Sequence, residues 1–331
     1  MGKMGIILVA FSLFLFLLSC TLWAQPYPPD RSFFRLQTQQ QRYEGLTQYM
    51  LFHNTTATNL PYHQHYIYDP FGNSAETFTT LQATARYYLN RRTFAQVTLP
   101  YQLKKRLTAD TLNMHQTGMG DILAGGGYQV YNSQLFTPHA PLQHLFMIQA
   151  FAGLPTGAYS RFNDINEVEP HSMPGMGSFH VIFGAEYWLQ YRRFSLLAAG
   201  NYQLNRENKY TYQYGNTAAA NLTLYYRQPI AKTLVIMPHA GPMWQMQNQD
   251  YMNQIPTPEY TKAQWWHAQA GFALQTAQWQ LNFAWTQPIK ARLTGPQPEL
   301  KHRWQVGLQY NLPPVLPKQR VFPAAEPHKT F

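Results

Sequence analysis

The chain has 331 residues and a formal net charge of +10, and its aromatic side chains (15%) outnumber its charged ones (12%). That is about half the ~25% charge of an ordinary soluble domain, while the aromatic content excludes a disordered chain. A helical membrane protein with several spans is excluded too, since each span needs about 20 apolar residues and only one long apolar run is present, at the start.

That run comes first in chain order. Lys3 supplies a positive start, Ile6 to Leu18 an apolar core, and Ser19, Thr21 and Ala24 the small residues of a secretory signal with cleavage after Ala24. Residues 1–24 are therefore expected to be a signal peptide. Cys20, the chain's single cysteine, would leave with it, because Leu18 fits poorly in a lipidation box. Residues 25–42 are expected to form a short periplasmic segment. Twelve strands should follow, at 43–53, 76–90, 93–105, 119–132, 144–155, 177–190, 193–205, 216–228, 232–246, 262–275, 278–290 and 299–312. The tail 313–331 carries Pro313, Pro314, Pro317, Pro323 and Pro327, which cannot continue a hydrogen-bonded ladder. It reads as a periplasmic extension able to contact cell wall or a partner.

Period-two alternation defines these strands. Trp279, Leu281, Phe283 and Trp285 alternate with Gln280, Asn282 and Ala284, and Leu81, Ala83, Ala85 and Tyr87 with Gln82, Thr84, Arg86 and Tyr88. Such sets point to opposite faces of a strand, one apolar and one polar. Many of the segments exceed the usual five or six residues and match the 9–11 needed to cross hydrocarbon at a tilt. Tight turns at 90–92, 191–192, 229–231 and 276–277 interleave with long links at 54–75, 106–118, 156–176, 206–215, 247–261 and 291–298. Outer-membrane barrels have this asymmetry, with short periplasmic turns and long outer loops. Tyr and Trp near the strand ends fit interfacial girdles. The expected fold is all-β: a transmembrane antiparallel β-barrel of about twelve strands over residues 43–312. Alternation by itself does not say which face points inward; a soluble barrel would turn the apolar set in.

Three glycine motifs stand where strands meet loops: Gly118-Met119-Gly120-Asp121, Gly153-Leu154-Pro155-Thr156-Gly157 and Pro174-Gly175-Met176-Gly177-Ser178. Taken singly, each reads as turn chemistry. Their order after Thr98-Leu99-Pro100-Tyr101, over roughly residues 40 to 312, resembles a family of bacterial outer-membrane transporters associated with the MetA pathway of phenol degradation, distantly similar to fatty-acid and aromatic-hydrocarbon channels. The resemblance implies a barrel and a transport role. The chain departs from the hydrocarbon channels in having no obvious long N-terminal plug; residues 25–42 are expected to form at most a short periplasmic segment or partial plug.

The polar face supplies the candidate selectivity residues: Arg86, Lys104, His180, Glu186, Arg227, His267 and Arg303. A mostly positive lumen favours anionic solutes by focusing their field; Glu186 paired to arginine would merely satisfy the interior. His63, His65, His115, Met114, Met119, His171, Met173 and Met176 fall in loop regions but match no metal motif, so neither a metal nor another cofactor is expected. Ser178, His180 and Ser195 are the nearest approach to a hydrolase pair, yet alternation sends His180 into the lumen, and no enzyme is expected. The expected partners are the lipid bilayer, lipopolysaccharide and a small solute, and not nucleic acid. A channel or transporter in the outer membrane is the leading functional expectation, with a non-conducting structural or binding barrel as the alternative.

Overall fold

A computed structural model describes residues 31–53, 65–108, 113–137, 140–159, 170–257, 261–295 and 299–312. The expected signal segment with Cys20 and the proline-rich tail lie outside the described residues. Twelve antiparallel staves close into one barrel: β1 (Phe33–His53), β2 (His65–Tyr88), β3 (Thr93–Thr108), β4 in two pieces (Asn113–Met119 and Ile122–Asn132), β5 (Leu142–Leu154), β6 (His180–Tyr191), β7 (Phe194–Asn205), β8 (Thr217–Tyr226), β9 (Val235–Gln247), β10 (Ala263–Gln275), β11 (Trp279–Leu293) and β12 (Glu299–Asn311). Each stave pairs with its sequence neighbours. Closure comes from β1 against β12, with Phe33 opposite Asn311 and Leu36 opposite Leu308. Among the described residues no helix is long and apolar enough to cross a membrane.

The burial pattern decides which face is inside. On β3, Phe94, Gln96, Thr98 and Pro100 are buried, whereas Ala95, Val97, Leu99 and Tyr101 are exposed. On β2, Thr84 and Arg86 are buried and Ala85 and Tyr87 exposed; on β11, Gln280, Asn282 and Thr286 are buried while Trp285 is exposed. Around the outside stand Phe34, Val97, Ile148, Phe183, Leu222, Leu224 and Phe272, each more than a third exposed. A large apolar side chain left in water forfeits roughly 1.5–3 kcal/mol, and soluble monomers rarely expose contiguous apolar patches beyond a few hundred Å². This barrel is inverted relative to a soluble one.

Two expectations need correction. The segment 33–42 is not a separate periplasmic piece: it is the first half of β1, paired on both sides, with Gln37 opposite Gln82 and Gly307. Phe34 and Leu36 are apolar and outward, but Thr38, Gln40 and Arg42 take the next outward positions and break the alternation, so the apolar signal at the strand's beginning is only two residues long. The links 54–75 and 106–118 are also shorter than expected, because β1, β2 and β3 run 21, 24 and 16 residues. The ladder between β8 and β9 has a gap, with Asn221 opposite Met243 and Leu224 opposite Ala240 but no pairs between them. Pro242, which has no N–H to donate, stands in that gap.

Candidate functional site

In the half of the lumen nearest the short turns, large side chains meet across the barrel. The Arg86 guanidinium lies 4.0 Å from the Phe94 ring centroid and 5.2 Å from that of Phe33, and its Nε donates to Gln96 Oε1 at 2.8 Å. Arg35 lies over the other side of the Phe33 ring at 4.3 Å and donates to Gln309 Oε1 from Nε and Nη2, at 2.9 and 2.7 Å. Glu186 is buried among them. It accepts from Gln149 Nε2 at 3.0 Å and faces the fields of Arg86 and Arg35. The β5–β8 wall closes the same level with Leu145, Trp188, Leu197, Ala199 and Tyr225. The Gly125-Gly126-Gly127 run of β4 makes this packing fit: a Cβ on Gly127 would stand 2.5 Å from the Phe94 ring, and one on Gly125 2.8 Å from that of Phe151. Phe33, Phe94, Leu145, Met147 and Leu197 are 0–2% exposed, so their side chains fill much of this end of the lumen.

Above this floor the inward side chains are mainly amides, with Arg303 among them. Arg303 donates from Nη2 to Gln245 Oε1 at 3.0 Å and to Gln41 Oε1 at 3.4 Å. With Asn221, Met243, Gln269, Thr286 and Gln305 it lines a small cleft of about 30 Å³. His267 and His239 are buried along the β9–β10 wall, and neither ring nitrogen of either histidine has a hydrogen-bond partner among the described residues.

The sequence-derived candidates divide accordingly. Arg86 and Glu186 lie in the floor, Arg303 in the upper lumen, His267 beside it, and His180 is buried at the loop end of β6 over Gly153. Lys104 sits on β3 opposite Phe78 and Gln116, its side chain outside the described set. Arg227 is a correction. It keeps inward parity with Thr223 and Tyr225, but β8 ends at Tyr226 and Arg227 is exposed on the turn-end rim. Sequence reasoning missed Arg35, since β1 was started ten residues late, and His239, whose strand is interrupted by Pro238 and Pro242.

The three glycine motifs converge at the loop end. Asp121, in the break between the two pieces of β4, accepts the Gly157 N–H on Oδ1 at 2.9 Å and the Met176 N–H on Oδ2 at 2.8 Å. Thr156 Oγ accepts from Ile122 N at 3.0 Å, Gly120 N donates to Pro100 O at 2.8 Å, and Ala158 N to Met119 O at 2.8 Å. A Cβ on Gly157 would lie 2.7 Å from both Gly120 C and Gly175 Cα, which explains small residues where these segments cross. Pro155 opens the middle segment, Gly118 would meet Ala158, and Gly177 has φ +64° against Tyr159. Motifs that read singly as turns form one clasp.

A second carboxylate ties the next loops. Asp250 Oδ2 pairs with His171 Nε2 at 2.6 Å and accepts from Tyr212 Oη at 2.5 Å, while Oδ1 accepts the Gly215 N–H at 2.6 Å. Burial works against this carboxylate, but His171, Tyr212 and the Gly215 amide outweigh it and hold the group below its ordinary 3.8. Burial also pushes the nearby Tyr214 hydroxyl well above its ordinary 10, helped by Tyr159 and Asp250. A small sheet of Tyr212–Gln213, Tyr251–Met252 and Ile255–Pro256 completes this cap. Of the loop histidines and methionines, His171 is thus tied to Asp250 and Met173 is buried, while His63 lies outside the described residues. Among the described residues no group of three or more His, Cys, Asp or Glu is placed to hold a metal ion.

A family model described as "Putative MetA-pathway of phenol degradation" matches residues 52–295. No curated protein matches the sequence. Among solved structures, an outer membrane channel from Pseudomonas putida F1 superposes with a TM-score of 0.54 at 12% identity, over 87% of this chain and 100% of that one. At that identity the likeness is one of fold. The β domain of a Bordetella autotransporter, BrkA (TM-score 0.46, 11% identity, 86% and 100% covered), and a Pseudomonas aeruginosa FadL homologue (TM-score 0.37, 10% identity, 85% and 90% covered) are looser likenesses.

Proposed function

The chain belongs to this phenol-degradation family, and on that premise we propose that it is an outer-membrane channel or transporter for small solutes, with the short turns facing the periplasm. The observation that carries the reading is the inverted burial of a closed twelve-stranded barrel. Apolar side chains on the outside match hydrocarbon, and an inner face of Gln, Asn, Thr and guanidinium groups matches a solute in water. Closure leaves no sheet edge to be satisfied in lipid. Transport of this kind uses no catalytic residue.

Aromatic and other hydrophobic anions are the solutes of choice. The inward side chains include Arg35, Arg86 and Arg303 against Glu76 and Glu186, and the guanidinium groups of Arg35 and Arg86 lie against the rings of Phe33 and Phe94. The family description points to the same chemistry. A non-conducting binding barrel is the second reading, and the filled floor is the observation that favours it.

Planar-bilayer recording of the refolded chain separates the two. Stable open steps, altered by aromatic carboxylates, are expected of a channel. Silence across voltage and solutes, from protein whose folding is verified by heat-modifiable gel mobility, would leave the binding barrel as the function.

A further inference from the structure

The short-turn rim carries a charge pattern that transport does not use. Arg31, Arg91, Arg92, Arg192, Arg193 and Arg227, with Lys232, all lie there, on the start of β1 and the turns β2–β3, β6–β7 and β8–β9. Among the described residues of these turns, of the β4–β5 and β10–β11 turns and of the strand ends beside them, there is no Asp or Glu. The described carboxylates outside the lumen, such as Asp121, Glu207, Asp250 and Glu299, sit at the opposite end.

Aromatic side chains share the rim. Phe136, Tyr191, Phe194 and Tyr131 are about half exposed or more. Arg92 lies 5.8 Å from the Phe136 ring centroid and donates to Tyr128 Oη at 3.4 Å, and Arg192 lies 5.2 Å from the Tyr191 centroid. Rings that face outward at the strand ends belong where hydrocarbon gives way to headgroups. Guanidinium groups beside them stand at the height of lipid phosphates, for which their planar fork is suited.

We propose that the turn-end rim is a binding surface for anionic phospholipid headgroups of the adjacent leaflet. The cations are spread over separate turns around the circumference, two of them, Arg92 and Arg192, beside aromatic rings. This distribution fits a lipid surface surrounding the barrel better than one acidic peptide docked on a patch. The proposal rests on the bilayer placement above and not on conduction, so a silent barrel leaves it standing.

The test uses the full refolded chain in micelles with equal amounts of phosphatidylglycerol and phosphatidylcholine, bound lipid being counted by native mass spectrometry. The wild type should retain phosphatidylglycerol by about tenfold over phosphatidylcholine, a preference that falls as salt shortens the Debye length. The R91Q/R92Q/R227Q/K232Q variant, its folding checked by heat-modifiable mobility, should lose most of that preference. Should it not fold, the salt dependence of the wild type decides alone. No preference in the wild type, a preference indifferent to salt, or an unchanged preference in the folded variant overturns the proposal. So does tight binding of poly-glutamate without any preference for phosphatidylglycerol, which would identify an acidic protein as the partner.

Discussion

At the turn end, Arg86 stacks with Phe33 and Phe94 from neighbouring strands, while Trp188 and Tyr225 pack with Leu145 and Leu197 on the β5–β8 wall. At the loop end, β1, β9, β10 and β12 carry Gln41, Gln245, Gln269 and Gln305 inward, with a cleft of about 30 Å³ beside Arg303. The first region is held by ring, guanidinium and methyl packing. The second is held by two carboxylates, Asp121 and Asp250, that gather backbone amides and side chains from loops far apart in sequence. One barrel thus has a floor filled by side-chain volume and a polar end bounded by loops. On the proposed transport function, selectivity would belong to the polar end and passage would be decided at the floor.

The largest effect is expected from removing the floor. Phe33→Ala with Phe94→Ala should raise single-channel conductance several-fold over the wild type in planar bilayers. Each truncation of a buried ring also costs roughly 3–5 kcal/mol, so both should lower the temperature of heat-modifiable unfolding. Unchanged conductance in the folded double variant would mean that the barrier lies elsewhere. Asp121→Ala comes next. It leaves the Gly157 and Met176 amides without their charged acceptor, at a cost of about 3 kcal/mol, and should open the 155–179 loop to added protease while the barrel remains intact. Protection equal to the wild type would show that the clasp does not hold the loop.

The Asp250 cluster predicts a smaller, pH-dependent effect with a definite sign. A carboxyl held below its ordinary value contributes stability that is complete above about 3.8 and is lost as pH falls through its lowered value. Loop protection should therefore persist at pH 5 and fail only in stronger acid, and Asp250→Asn should weaken it at neutral pH and flatten that acid dependence. Full protection of the variant would contradict the assignment. Smallest of all, Arg303→Ala should move the reversal potential of an open channel toward cations by a few millivolts while conductance stays close to that of the wild type. An unmoved potential would remove Arg303 from selectivity.

The barrel was legible in the sequence because its two faces differ at every second residue: β3, β10, β11 and β12 fall within a few residues of their expected limits. Where the outer face turns polar, as at Thr38, Gln40 and Arg42, the signal vanishes, and half of β1 was lost with Arg35 on it. Parity misled at Arg227, since it gives a direction but not the point at which a strand ends. Inside and outside could not be told from alternation, which is unchanged by exchanging them. The two carboxylate clasps were illegible for another reason. Asp121 reaches residues 36 and 55 positions away and Asp250 one 79 positions away, and no local pattern encodes such a meeting.

Thiol accessibility tests the filled floor and the polar end above it most directly, because Cys20 is the chain's single cysteine and an introduced one reports alone once residues 1–24 are removed. Gln305→Cys and Gln96→Cys, both inward and on opposite sides of the floor's upper edge, are to be treated in proteoliposomes with a charged, membrane-impermeant thiol reagent applied from the loop side. Rapid labelling at position 305 and none at 96 is the predicted result. Equal labelling at both positions would contradict it.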